Sequence, residues 1–83
     1  MDGIDALRAM KEGKTVIMYR NDDHSYNNTD TYYRFDFKFN YDTLETSKHI
    51  WSKMKCHKYW HECTNPATFW MVSNNFEIVE EVD

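Results

Sequence analysis

The clearest pattern in the chain is a strict alternation between positions 32 and 41. Tyr33, Phe35, Phe37, Phe39 and Tyr41 occupy one parity, and Tyr32, Arg34, Asp36, Lys38 and Asn40 the other. Successive strand residues point to opposite faces, so the segment predicts an antiparallel strand with one aromatic and one solvated face. The aromatic face is expected to form the main wall of the core. Upstream, Asp2 can cap a helix in which Ile4, Leu7 and Met10 share a side with Ala6 beside them, and Gly13 supplies a left-handed stop. Residues 14–20 then read as a buried strand, because Val16, Ile17 and Tyr19 are apolar on both parities.

From 21 to 31 the chain is rich in Asn, Asp, Ser and Thr and has no aliphatic apolar residue, which predicts a loop. Residues 42–46 read as a turn. From Ser47 onward, Ile50, Met54, His57 and His61 fall at i, i+4, i+7 and i+11, which predicts a second helix near 47–62 with Ser47 as its cap. The competing strand reading would put Ile50, Ser52, Met54 and Cys56 on one face. Asn65 and Pro66 end this element, residues 67–72 read as one helical turn, and 76–82 close the chain as a strand with Ile78 and Val79 inside. The expected architecture is a single α+β domain over residues 1–83. It has an N-terminal helix and a second helix packed on a small antiparallel sheet of three to four strands.

Length changes this picture in one respect: an 83-residue domain has a thin stability margin, which large aromatic side chains help to offset. Two cysteines cannot build a disulfide framework, and no positively charged, apolar leader opens the chain, so a cytoplasmic setting is expected. The apolar run from Val16 to Tyr19 is far too short to cross a bilayer. The net charge of −4 is unevenly placed. Lys48, Lys53, Lys55 and Lys58 lie in a stretch without a single acid, so the remainder carries −8. That surplus of negative charge argues against double-stranded DNA as a partner.

Candidate chemistry is sparse. Cys56, His57, His61 and Cys63, with His49 upstream, raise a metal site, and His57 and His61 have the spacing of helical zinc ligands. On a helix, however, Cys56 lies about 100° round from His57, and no tight C-x-x-C pair is present, so no metal or other cofactor is expected. Asn21, Asp23, Ser25 and Asn27 alternate like calcium ligands, but Tyr26 and Tyr32 stand where that loop needs glycine and glutamate. With glycines only at positions 3 and 13, neither a framed serine nucleophile nor a phosphate-cradling loop exists, and catalysis is not expected. The segment that stands out interleaves Lys48, Lys53, Lys55 and Lys58 with Trp51, Tyr59 and Trp60. Cations and aromatic faces together suit an acidic protein surface or a nucleotide, so these seven residues are the expected partner-binding set. The bland reading is an amphipathic element whose lysines are simply solvated.

The two ends of the chain resemble a class of small bacteriophage proteins. These open with a helix of the form A-L-x-x-L-x-x-G-K-x-V and close with a strand like W-E-I-V-E-E. Here the opening is Ala6, Leu7, Met10, Glu12, Gly13, Lys14 and Val16, and the closing is Phe76, Glu77, Ile78, Val79, Glu80 and Glu81. The class includes the Thoeris anti-defence two-like domain, some members of which sequester cyclic nucleotide signals, and one type of anti-CRISPR protein. The resemblance implies a helix on a small antiparallel sheet and a virus-encoded accessory protein. That protein would neutralise a host defence system or host enzyme by binding a host protein in the host cytoplasm. The alternative it implies is a sponge for a cyclic nucleotide signal, for which a homo-oligomer is expected. Phe76 replaces the closing tryptophan, and residues 22–66 have no counterpart in the class, so no binding residue carries over.

Overall fold

The computed structural model describes residues 1–21, 23, 25–63 and 75–80. One helix, α1 (Gly3–Lys11), is followed by five strands among these residues: β1 (Thr15–Met18), β2 (Thr31–Asn40), β3 (Glu45–Met54), β4 (His61–Glu62) and β5 (Phe76–Val79). The strands form one sheet in the order β4-β3-β2-β1-β5, with every pairing antiparallel. The α+β class is as expected, with one helix fewer and one strand more.

The Asp2 side chain accepts from Asp5 N–H at 2.8 Å and caps α1, and Gly13 ends it with φ at 91°, in the left-handed region where a Cβ is strained. The face that α1 buries consists of Gly3, Ala6, Ala9 and Met10. Ile4, expected on this face, is instead exposed. At about 100° per residue these four positions span roughly a third of the helix circumference, which leaves Ile4 on the far side and Leu7 half-buried at the flank.

In an antiparallel ladder, paired residues share a face. Val16, Met18, Tyr33 and Phe76 therefore lie together under α1, where they join Ala6, Ala9 and Met10 in the core, with Phe35, Ile50 and Cys63 at its margin. β1 is buried along Val16, Ile17 and Met18, as its two-sided apolar pattern predicts. In β5 the interior place goes to Phe76, and Ile78, expected inside, is 42% exposed because β5 borders the sheet.

The second helix expected over 47–62 is not formed. Residues 45–54 are β3, residues 55–60 turn, and β4 begins at His61. The reason is the partner strand. β2 offers ten consecutive positions, all of which β3 takes, from Thr31↔Met54 to Asn40↔Glu45, with Phe35 beside Ile50. Cross-strand pairs of this kind outweigh a helical stripe in which only Ile50 and Met54 are apolar. The connection spans residues 41–44, and Leu44 adopts φ 58° to close it. The predicted turn at 67–72 and the positions Asp22, His24, Glu81 and Val82 lie outside the described residues.

The aromatic row of β2 does not form the main wall of the core. Tyr33 is buried and Phe35 half-buried, but Phe37 is 62%, Phe39 44% and Tyr41 83% exposed. Lengths explain this. A nine-residue helix spans about 13 Å, whereas a ten-residue strand spans about 33 Å. α1 therefore covers only the first part of β2, and the rest of the β2–β3 hairpin projects beyond it, in a molecule 44 Å long and 26 × 23 Å across.

Candidate protein-interaction surface

The seven residues of the basic, aromatic segment do not come together. With β3 extended, alternate residues leave on opposite faces. Lys48 stands on the face that bears α1, its ammonium 5.5 Å from the Phe37 ring centre. Trp51 and Lys53 are on the opposite face, paired with Arg34 and Tyr32. Trp51 Nε1 donates to the Asp36 carbonyl at 3.3 Å, and Lys53 is buried. Lys55 turns back to the Asp30 carboxylate at 3.6 Å, over the rings of Tyr26 and Tyr19 at 4.7 and 5.8 Å. Lys58 and Tyr59 are exposed in the turn, and Trp60 lies beneath the Arg34 guanidinium, 4.2 Å away. Lys53, Lys55 and Trp60 thus serve the fold, and of the seven only Lys48 adjoins the exposed aromatic row.

Cys56, His57, His61 and Cys63 are not gathered into a single cluster. His57 and His61 are edge to face at 5.9 Å, Cys56 is exposed, and Cys63 packs at the margin of the core. Among the described residues, no group of three His, Cys, Asp or Glu side chains could hold a metal ion.

Residues that sequence reasoning assigned to the core form the surface instead. Phe37, Phe39 and Tyr41, expected on the core wall, are exposed on the projecting hairpin, with Phe39 edge to face on Tyr41 at 4.9 Å, and Leu44 of the connecting turn is exposed beside them. Where this row meets the core, Lys11, Phe35 and Lys48 line a cavity of about 230 Å³. Neither lysine has an ion-pair partner among the described residues. Lys11 also sits in the last turn of α1, where the carbonyl end of the helix favours a cation. The missed signal is arithmetic: the helix ending at Gly13 is too short to cover five alternating aromatic residues.

The opposite face of the hairpin is polar and internally paired. Glu62 on β4 accepts from Lys38 on β2 and faces His49 Nδ1 on β3 at 3.2 Å, and His49 Nε2 lies 2.7 Å from Ser47 Oγ. Hydroxyl, imidazole and carboxylate line up in that order, but on an open strand surface where water screens them and Lys38 takes the second carboxylate oxygen. The evident work of this group is to tie three strands together. The Lys38 hydrogen bond is the main influence on Glu62 and holds its carboxyl below the ordinary glutamate value. Since the folded value is the lower one, the contribution is present above the ordinary glutamate range and disappears as pH falls through the depressed value. In a carbon-detected NMR titration, Lys38→Met should move the Glu62 midpoint upward, and an unmoved midpoint would remove Lys38 as the cause. In the core, burial pushes the Tyr33 hydroxyl up to about 12, so it stays neutral at any physiological pH.

The fold and this surface define a class: a small α+β domain with one short helix on a five-strand antiparallel sheet and an aromatic hairpin reaching past the core. No helix among the described residues is long and apolar enough to cross a membrane. Comparison with family models, curated proteins and solved structures finds no match at the significance required of any of the three.

Proposed function

We propose that this protein acts by binding a partner protein, without catalysing a reaction, and that the face bearing Phe37, Phe39, Tyr41, Leu44 and Lys48 is the contact surface. The observation that carries this reading is the exposed aromatic row. These rings lie outside the buried core, and exposed clusters of large apolar side chains mark interaction sites. Aromatic anchors flanked by cations favour a partner with an acidic surface. The resemblance of the chain ends to bacteriophage anti-defence proteins supports a virus-encoded accessory protein whose partner is a host defence protein or host enzyme.

The test is retention of a host protein at defined stoichiometry, read by native mass spectrometry. The wild type is compared with a variant carrying Phe37→Ser, Phe39→Ser and Tyr41→Ser. The variant should lose the partner while keeping its fold, since each exposed substitution should change stability by only about 0.5 kcal/mol. Equal retention by both proteins would refute the surface. Lys53→Glu and Lys55→Glu are unsuitable as probes, because both side chains are engaged in the fold. A bare homo-oligomer carrying a nucleotide would replace this reading with the signal sponge.

A further inference from the structure

The aromatic row has a neighbour of a different kind: a stretch of β3 border that no described residue pairs with. β4 pairs with β3 only at Trp51 and Ser52, and Cys63 N–H adds one further bond to the Ile50 carbonyl at 2.8 Å. That bond fixes which way the β3 backbone faces. The N–H and C=O of Ile50 point away from β2, and by the two-residue repeat so do those of Lys48 and Thr46. Among the described residues, nothing pairs with the outward groups of Thr46 and Lys48. The other border of the hairpin differs, because the Asp36 carboxylate occupies the outward Phe37 N–H at 2.8 Å. The β3 border has no proline and no positive-φ residue between 45 and 54. Of the usual devices that prevent a strand from being added, this border carries only charge: Lys48 beside the open groups, and Lys53, which is buried.

Resting on the reading of this hairpin as the binding surface, we propose that the partner contributes an extended acidic segment that adds to the sheet beside β3, bonding to Thr46 and Lys48. Strand addition draws affinity from main-chain bonds and selectivity from alternate side chains. Alternate residues of an added strand face the aromatic row. There they meet Lys48 and, across the 230 Å³ cavity, Lys11, with Phe35 between them. Two cations without ion-pair partners among the described residues suit carboxylates at those positions. The apolar stems of such side chains would lie against Phe37 and Phe39.

The experiment uses the full chain labelled with nitrogen-15 and two synthetic seven-residue peptides, one alternating valine with glutamate and the other valine with lysine. The glutamate peptide should bind, and it should slow hydrogen exchange at the Thr46 and Lys48 amides by about tenfold or more while the Ser47 amide, bonded to β2, changes little. Lys48→Glu, which leaves the backbone intact, should weaken that peptide by about tenfold or more. Thr46→Pro, which removes an outward N–H, should abolish its binding. No binding of the glutamate peptide at millimolar concentration, or equal binding of the lysine peptide, would overturn the proposal. So would protection at Thr46 that rises with protein concentration and no peptide, since the edge would then pair with a second copy. Peptide-induced shifts at Phe37, Phe39 and Tyr41 without protection at Thr46 and Lys48 would sink strand addition yet leave the aromatic surface standing.

Discussion

Asp30→Ala is expected to unfold much of the population or to lower stability by about 2–4 kcal/mol in urea denaturation. Asp30 is fully buried, although it comes from a segment that reads as a solvated loop. Its carboxylate accepts from Arg20 N–H at 2.8 Å and Asn27 N–H at 3.2 Å, and it pairs with Lys55 at 3.6 Å. Its backbone is equally committed: Asp30 N–H donates to the Asn27 carbonyl, and the Asp30 carbonyl accepts from Lys55 N–H at 2.9 Å. One side chain thus fixes both ends of the β1–β2 loop and anchors the turn that follows β3. Removing it leaves two backbone donors and an ammonium without their acceptor. Because the Lys55 side chain keeps about a fifth of its surface in water, the loss should fall short of that for a fully buried pair. Set against a total of about 4–12 kcal/mol for a domain of this length, it is still a large share. Lys55→Met should cost less, about 1 kcal/mol, because the carboxylate keeps both backbone donors. A loss below about 0.5 kcal/mol for Asp30→Ala would mean that the loop is not held in this way.

Phe76→Ala should be comparably damaging, at about 3–5 kcal/mol, whereas Phe37→Ala should cost about 0.5 kcal/mol or less. Among the described residues Phe76 is the largest fully buried side chain, set against Tyr33 with ring centres 6.4 Å apart and opposite Met18 in the ladder. Its backbone also secures the N-terminal segment. The Met1 nitrogen donates to the Phe76 carbonyl at 2.9 Å, and Phe76 N–H donates to the Met1 carbonyl at 3.3 Å. Truncation leaves a void between helix and sheet that the short β5 has little means to fill. The pair of substitutions is informative because the residue type is the same and only burial differs. If Phe37→Ala cost as much as Phe76→Ala, the hairpin aromatics would be packed in solution and the proposed contact surface would be lost.

Local features were legible where one segment sufficed to define them. Asp2 and Gly13 mark both ends of α1 by their own backbone chemistry. Two-sided apolarity marks β1, and the alternation from Tyr33 to Tyr41 marks β2 as a strand. The candidate site was legible only in its ingredients. Lys48 lies beside an aromatic ring, but that ring is on β2 and not in its own segment. The alternation marks Phe37, Phe39 and Tyr41 as one aromatic face, but it does not tell on which side of the boundary between core and solvent that face lies.

What the sequence by itself determined is therefore the set of local preferences: where the chain caps a helix, where it alternates, where it turns. Only the tertiary structure decided what those preferences were used for. Residues 45–54 became a strand because a ten-residue partner lay beside them, which buries Lys53, and Asp30 draws Lys55 into the fold. The outer aromatic row was left in water because α1 stops after nine residues. Periodicity reports which side chains share a face, but burial depends on what another part of the chain can reach, and reach is set by lengths and pairings that no single segment contains.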